Sequence, residues 1–215
     1  MDMKAHSKQS GLTLVEIMIA LVLGIIVMGA VITIFVTTVK SSSENIRMVH
    51  LNQELRFLMG LMSDELKRAG YSEQPADPAL PRDPAFREAL NWDPDYNCLR
   101  YAYDVNGNGI FEENDESFAF QWWPLDAPDH IRWGQGVTSN TCDPDDDRVW
   151  QEITHPATAE IDDFDITEVC ASSGSVAVHT IRVSITGSVG LVPGRATRTV
   201  EESIRVRNDR MTACP

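Results

Sequence analysis

The alternation of apolar and polar positions divides this chain into four stretches. Residues 1–11 are short and mostly polar. From Leu12 to Val39 the chain is apolar almost throughout, broken by a single acid, Glu16. As a helix, these 28 residues reach roughly 42 Å, ample for a hydrocarbon layer of about 30 Å. From 40 to 70 the apolar residues thin out and recur at spacings of three and four: Ile46, Val49, Leu55, Leu58, Met59, Met62 and Leu66. That period predicts the same helix continuing as an amphipathic half, its apolar stripe laid across a β-sheet. Glu44, Arg47, Asn52, Glu54, Arg56, Asp64, Glu65 and Lys67 then take the other side. Gly70 stands in the position of a C-cap, and Pro75, Pro78, Pro81 and Pro84 keep helix from resuming.

Residues 71–215 read as a β-rich head. The Pro- and Asp-rich stretch 72–95 is an irregular excursion with a helical turn at Phe86 to Leu90. Strand signals follow at Leu99–Tyr103, Ser117–Trp123, Val149–Ile153 and Phe164–Val169. The clearest is the alternation of Ala177, His179, Ile181, Val183 and Ile185 with Val178, Thr180, Arg182 and Ser184. A turn over Gly187 to Gly194 returns the chain as an antiparallel partner, Thr197 to Arg207. No repeat and no long linker interrupts the head.

Glu16 brings the first chemistry. A carboxylate near the start of a membrane-length helix costs a few kcal/mol and calls for a specific partner. If the chain were cut after Gly11, Glu16 would be the fifth residue, and the new α-amino group of Leu12 would be the nearest candidate. Gly11-Leu12-Thr13-Leu14-Val15-Glu16 resembles the processing site of type IV pilins and type II secretion pseudopilins. The resemblance implies cleavage after Gly11 by a prepilin peptidase, N-methylation of Leu12, and a retained helix that packs beside related chains. Leu12 stands where Phe is commoner. The leader 1–11 carries Lys4 and Lys8 against Asp2, which keeps the N-terminus cytoplasmic. The cut falls before the apolar segment, unlike that of a secretory signal peptide. Residues 12–39 are then the transmembrane and assembly helix, 40–70 its amphipathic half, and the head lies in a periplasm-like compartment.

Asn52-Gln53-Glu54-Leu55-Arg56-Phe57, with Asp64-Glu65-Leu66-Lys67-Arg68-Ala69-Gly70-Tyr71, resembles the PilW family of minor type IV pilins. That resemblance implies an α+β, type IV pilin-like fold, with a long N-terminal helix packed on an antiparallel β-sheet head. It also implies a structural subunit that primes pilus assembly in the inner membrane, with a place near the pilus tip. Its partners would be other minor pilins and the major pilin, engaged through the Leu12–Val39 helix. The J-type minor pseudopilin of type II secretion shares this plan, and a tip adhesin whose head binds a surface or ligand is a further alternative.

Composition narrows these readings. The net charge is −14, and −15 without the leader, which argues against direct nucleic-acid binding. Cys98, Cys142, Cys170 and Cys214 all fall in the exported part, with neither C-x-x-C pairs nor histidines at ligand spacing, so zinc is not expected. In an oxidising compartment they read as two disulfides with three connectivities. The sequential pairs, Cys98–Cys142 and Cys170–Cys214, are the expectation carried forward, the second tying the C-terminus to the sheet as in many pilins.

The segment Asp104 to Asp115 matches the calcium-loop pattern: Asp104, Asn106 and Asn108 at places one, three and five, and Gly109 at six. Ile110 would lend its carbonyl, Glu112 and Asp115 their carboxylates, and Phe111 would point inward. Asp115 is shorter than the usual bidentate Glu, and the flanks read as strands. An Asn-Gly hairpin turn is the plain alternative. Catalysis finds no motif: His50, His130, His155 and His179 are scattered, and G-x-S-x-G, phosphate-loop and H-E-x-x-H patterns are absent. The chain is therefore not expected to be an enzyme. Trp122, Trp123 and Trp133, beside Tyr101 and Tyr103, read as hairpin packing in preference to a sugar- or partner-binding patch.

Overall fold

The computed structural model describes residues 11–73, 83–123, 129–137, 142, 150–155, 158–173, 176–191 and 193–206. The chain divides into two compact units, Met1–Ile46 and Arg47–Pro215. A single helix, α1 (Leu14–Arg68), begins in the first and ends in the second. In the first unit every large apolar side chain of α1 is more than half exposed. That surface has no core to enter and needs lipid or other helices to cover it. Thr33, Thr37 and Thr38 return their hydroxyls to carbonyls one turn back, so they fit an apolar medium.

The second unit is α+β, with two antiparallel sheets. One runs in chain order: β1 (Asn91–Asp93), β2 (Cys98–Ala102), β3 (Ser117–Trp123), β4 (His130–Gln135) and β5 (Trp150–Glu152). The other is β6 (Glu160–Ser173), β7 (Val176–Leu191) and β8 (Gly194–Arg205). Two single-turn helices, α2 (Ala85–Glu88) and α3 (Glu113–Glu116), sit in the connections. Alternate residues of both sheets face α1. Leu51, Leu55, Leu58, Met59, Met62 and Leu66 join Tyr101, Phe118, Phe120 and Ile131 of the first sheet and Ile161, Phe164, Val183 and Ile185 of the second in one core.

The buried stripe differs from the expected one at its start. Val49 is 52% exposed and Ile46 54%, while Leu51 is fully buried. At about 100° per residue, Val49 lies roughly 160° round the helix from Leu51, and Ile46 about 140° the other way. Leu51, Leu55, Leu58, Met62 and Leu66 hold one phase, and the two β-branched residues fall outside it.

The strands also run longer than alternation suggested. β7 continues through Gly187 to Leu191, where a turn was expected to begin at Gly187. Gly187 is a point of close approach: a Cβ there would stand 3.1 Å from Leu55 Cδ2, 3.2 Å from the Glu160 carbonyl oxygen and 3.4 Å from Leu51 Cδ1. β4, pairing with β3 from Phe118↔Gln135 to Trp123↔His130, was missed because its pattern is interrupted by Arg132 and Gly134.

A polar seam ties the helix to the first sheet. The Tyr101 hydroxyl donates to Glu65 Oε2 at 3.1 Å and accepts from Trp133 Nε1 at 3.0 Å. Burial, then the neighbouring Glu65 carboxylate, push the Tyr101 phenol well above its ordinary range. Tyr101 and Trp133 stack with Phe118, which also stacks on Tyr103, so these aromatics are core.

The opposite face of the first sheet carries a smaller core of Cys98, Ala119, Val137 and Cys142, with Trp150 against it. Cys98 and Cys142 are joined by a disulfide with Cα atoms 6.2 Å apart. Gln121 is fully buried beside it, donating to the carbonyls of Tyr96 and Cys142 and accepting from Arg132 Nε and Nη2. Its amide therefore uses both donors and both acceptor positions. The Arg132 guanidinium is sandwiched between Trp123 and Trp150, at 4.3 and 4.6 Å from their ring centres.

Candidate functional site

The N-terminal site is built from the start of α1. Gly11 and Leu12 precede the first helical residue, Leu14, so the Gly11–Leu12 bond lies in exposed, non-helical chain, the form a protease can seat. Residues 1–10, the expected leader, lie outside the described residues. Glu16 turns back on the helix start. The Thr13 backbone N–H and hydroxyl donate to Glu16 Oε2 at 2.9 and 2.8 Å, and the Glu16 N–H donates to Thr13 Oγ1 at 3.3 Å. This is a reciprocal capping box, and it satisfies two of the N–H groups that a helix start leaves open.

The expected partner of Glu16 was an α-amino group on Leu12. In the uncut chain its partner is Thr13. The signal was present as the T-x-x-E spacing at the head of an apolar run, and its weight was missed. The acidic residue also lies in the first turn, where the positive end of the helix dipole favours it. The arrangement can hold a carboxylate at the membrane entry before any second chain arrives.

The Asp104 to Asp115 loop is ordered by its own side chains. Asp104, only 5% exposed, accepts the Gly107 N–H on Oδ1 at 2.7 Å and those of Gly109 and Glu73 on Oδ2 at 2.9 and 3.0 Å. Asn106 Oδ1 accepts from the Asn108 N–H and Asn108 Oδ1 from the Ile110 N–H, two successive Asx turns. Gly107 and Gly109 supply the left-handed conformations, at φ of 74° and 73°. Glu112 Oε2 accepts from Asn106 Nδ2 at 3.3 Å. Phe111 packs edge-on against Phe86 at 5.2 Å.

Asp115 does not join this group. It sits exposed in α3, and the acid that closes the loop is Glu116, whose carboxylate accepts the Val105 and Glu112 N–H groups at 3.0 Å each. Asp104 Oδ1 and the Asn106 and Asn108 oxygens each keep a lone pair after these bonds. With the Ile110 carbonyl and Glu112, this donor set fits calcium in chemistry, short of the six to eight oxygens the ion takes, so waters would complete it. Among the described residues no three acidic, histidine or cysteine side chains converge as a metal-holding group.

The remaining cysteine pair cannot be placed in the same way. Cys214 lies outside the described residues, as does the side chain of Cys170. The backbone of Cys170 pairs with His179 on β7, and the Val206 N–H donates to the His179 carbonyl from the far side. The end of β8 is thus level with Cys170, two strands away. His179 Nδ1 lies 2.9 Å from Glu168 Oε1, and His130 Nε2 lies 3.8 Å from Glu152 Oε1.

A long apolar helix carrying a capped acid at its fifth residue past a Gly, continued into a disulfide-bonded antiparallel head, defines a membrane-anchored pilin-type subunit. Residues 6–32 match the prokaryotic N-terminal methylation motif. The chain belongs to the family described as prepilin peptidase-dependent protein B, which matches residues 44–206, about three quarters of its length. No curated protein and no solved structure matches it.

Proposed function

We propose that this chain is a minor pilin of the PilW type that primes type IV pilus assembly from the inner membrane and takes a place near the pilus tip. The observation that carries the reading is the joined processing site: Gly11–Leu12 exposed ahead of α1, with Glu16 capped and followed by an uncovered apolar helix. A prepilin peptidase acts at Gly11–Leu12, and other minor pilins and the major pilin pack against residues 12–39. The E-x-R-F and D-x-x-x-A-G-Y patterns at 54–57 and 64–71 support the subfamily.

Deletion of the chain from its host, with complementation, tests this. Surface pili fall sharply in number while protein secretion continues. A J-type pseudopilin gives the reverse, lost secretion with pili intact. An adhesin leaves pilus number unchanged and abolishes attachment.

A second reading concerns the head loop. We propose that residues 104–112 bind calcium and that the ion stiffens a surface used in packing against a neighbour. The spacing of Asp104, Asn106, Asn108 and Gly109, and the order that their own side chains give the loop, support it.

A further inference from the structure

On the outer face of the first sheet, between α2, β2, the start of β3 and the end of β4, lies an open pocket of about 170 Å³. Arg100 forms part of it. On β2 it alternates with the core residues Leu99 and Tyr101, so its side chain takes the face that carries Cys98. Its partner in the register is Ala119, whose small side chain leaves the guanidinium room.

The walls are pinned by hydrogen bonds. Asp83 accepts the Ala85 N–H on Oδ1 at 2.9 Å and the Phe111 N–H on Oδ2 at 3.2 Å, so one carboxylate holds α2 against the turn at Phe111. Ser117 Oγ lies 2.6 Å from the Glu113 carbonyl and 3.0 Å from that of Val137. Gly136, at φ of 72°, lets the end of β4 pass α3, since a Cβ there would stand 2.7 Å from the Asn114 carbonyl oxygen. A pocket fastened in this way needs little ordering when a ligand arrives.

Three charged side chains line it: Arg100 of β2, Glu88 of α2 and Glu113 of α3. Among the described residues none of these side chains makes a hydrogen bond or an ion pair. The other acids of this region are engaged or set apart. Asp83 holds the two N–H groups above, Glu116 holds those of Val105 and Glu112, and Glu112 and Asp115 do not line the pocket. Phe111, Ala89 and Val137 supply an apolar wall.

A ligand that meets all three charges carries both signs. A carboxylate suits the fork of the Arg100 guanidinium. An ammonium has three donors, enough for both glutamates. With two acids to one guanidinium, a plain anion is disfavoured, and a plain cation leaves Arg100 unmatched. The volume falls below the roughly 300 Å³ at which pockets for drug-sized ligands begin, and equals the space of about five or six waters. We propose that this pocket binds a free α-amino acid with a short aliphatic side chain, its carboxylate on Arg100, its ammonium between Glu88 and Glu113, and its hydrocarbon against Phe111 and Val137. The site is separate from the assembly helix and gives the head a ligand of its own.

Calorimetric titration of the full chain in mild detergent tests this with three probes: L-valine, L-valinamide, which lacks the carboxylate, and N-acetyl-L-valine, which lacks the ammonium. Wild type binds valine about tenfold tighter than either analogue, because each analogue leaves a charged group of the pocket unmatched. Arg100→Ala brings valine and valinamide level. Glu88→Gln with Glu113→Gln, which changes only exposed side chains and so keeps the fold, brings valine and N-acetylvaline level. The comparison of probes on wild type needs no variant at all. Absence of heat with millimolar valine overturns the proposal, as does unchanged valine affinity in Arg100→Ala. Binding of either analogue to wild type as tightly as valine also overturns it, making the pocket a site for the terminus of another chain.

Discussion

Replacing Cys98 and Cys142 by Ala should unfasten the outer face of the first sheet, and the structure sets the size of the effect. The bridge closes a loop spanning 44 residues. Chain-entropy arithmetic for that length gives about 13 cal/mol/K, or roughly 4 kcal/mol at 25 °C. A second contribution comes from Gln121. If the segment at Cys142 lifts, the Gln121 amide loses the carbonyl that it meets at 2.8 Å in a fully buried position, about 1 kcal/mol more. A loss of about 5 kcal/mol lowers the melting temperature by roughly 10–20 °C in a chain of this size. Thermal unfolding of the full chain in detergent, followed by near-ultraviolet circular dichroism, measures it. Trp123 and Trp150 clasp Arg132 beside the bridge and should report the loosening by a red-shifted emission. The far-ultraviolet helix signal of α1, which lies on the other face, should hold at temperatures below the transition. A loss under about 1 kcal/mol, or unchanged tryptophan emission, would refute the role given to this bridge.

Gly187→Val should cost about 2 kcal/mol through overpacking, and Leu55→Ala should recover part of it, because their costs arise at one contact; additive losses would contradict the close approach. Thr13→Val should leave membrane insertion intact and impair incorporation into pili less than Glu16→Val does, scored by mature protein in sheared filaments; equal defects would mean that Thr13 is the essential partner of Glu16. The Tyr101 phenol is held protonated in the folded state, so its contribution is complete below about pH 10 and fades as pH rises toward its raised folded value. Tyr101→Phe should cost roughly 1–3 kcal/mol at neutral pH and flatten the alkaline loss of stability seen in wild type, followed by denaturant titration across pH 8–12. Calcium in millimolar excess should raise the melting temperature of the full chain, and Asp104→Asn should abolish the rise; no shift would leave the loop as an Asx-turn hairpin. Non-reducing peptide mapping should join Cys170 to Cys214, since the eight residues after Val206 can reach roughly 27 Å and the two-strand gap is about 10 Å.

Much of this protein was set locally. The apolar run 12–39, the 3.6-residue period from Leu55 to Leu66, and the alternation from Ala177 to Ile185 each depend on near neighbours in sequence. Each therefore fixed an element and its type, and with them the α+β class. The Gly11–Leu12 junction is legible for the same reason, since glycine and acid lie within six residues and the leader directly adjoins them. Tertiary structure decided what depends on distant partners. Val49 and Ile46 have the spacing of core residues, yet the phase of contact with two sheets leaves them outside. Gly187 carries the mark of a turn, but Leu51 and Leu55, more than 130 positions away, make it a point of close approach within a strand. Three cysteine connectivities stood open until the packing of Gln121 and Ala119 brought Cys142 over Cys98. Arg100, Glu88 and Glu113 share a pocket only because Asp83 draws α2 against the turn at Phe111. Short-range patterns name the elements; side-chain contacts across a hundred residues of chain settle which face each one buries.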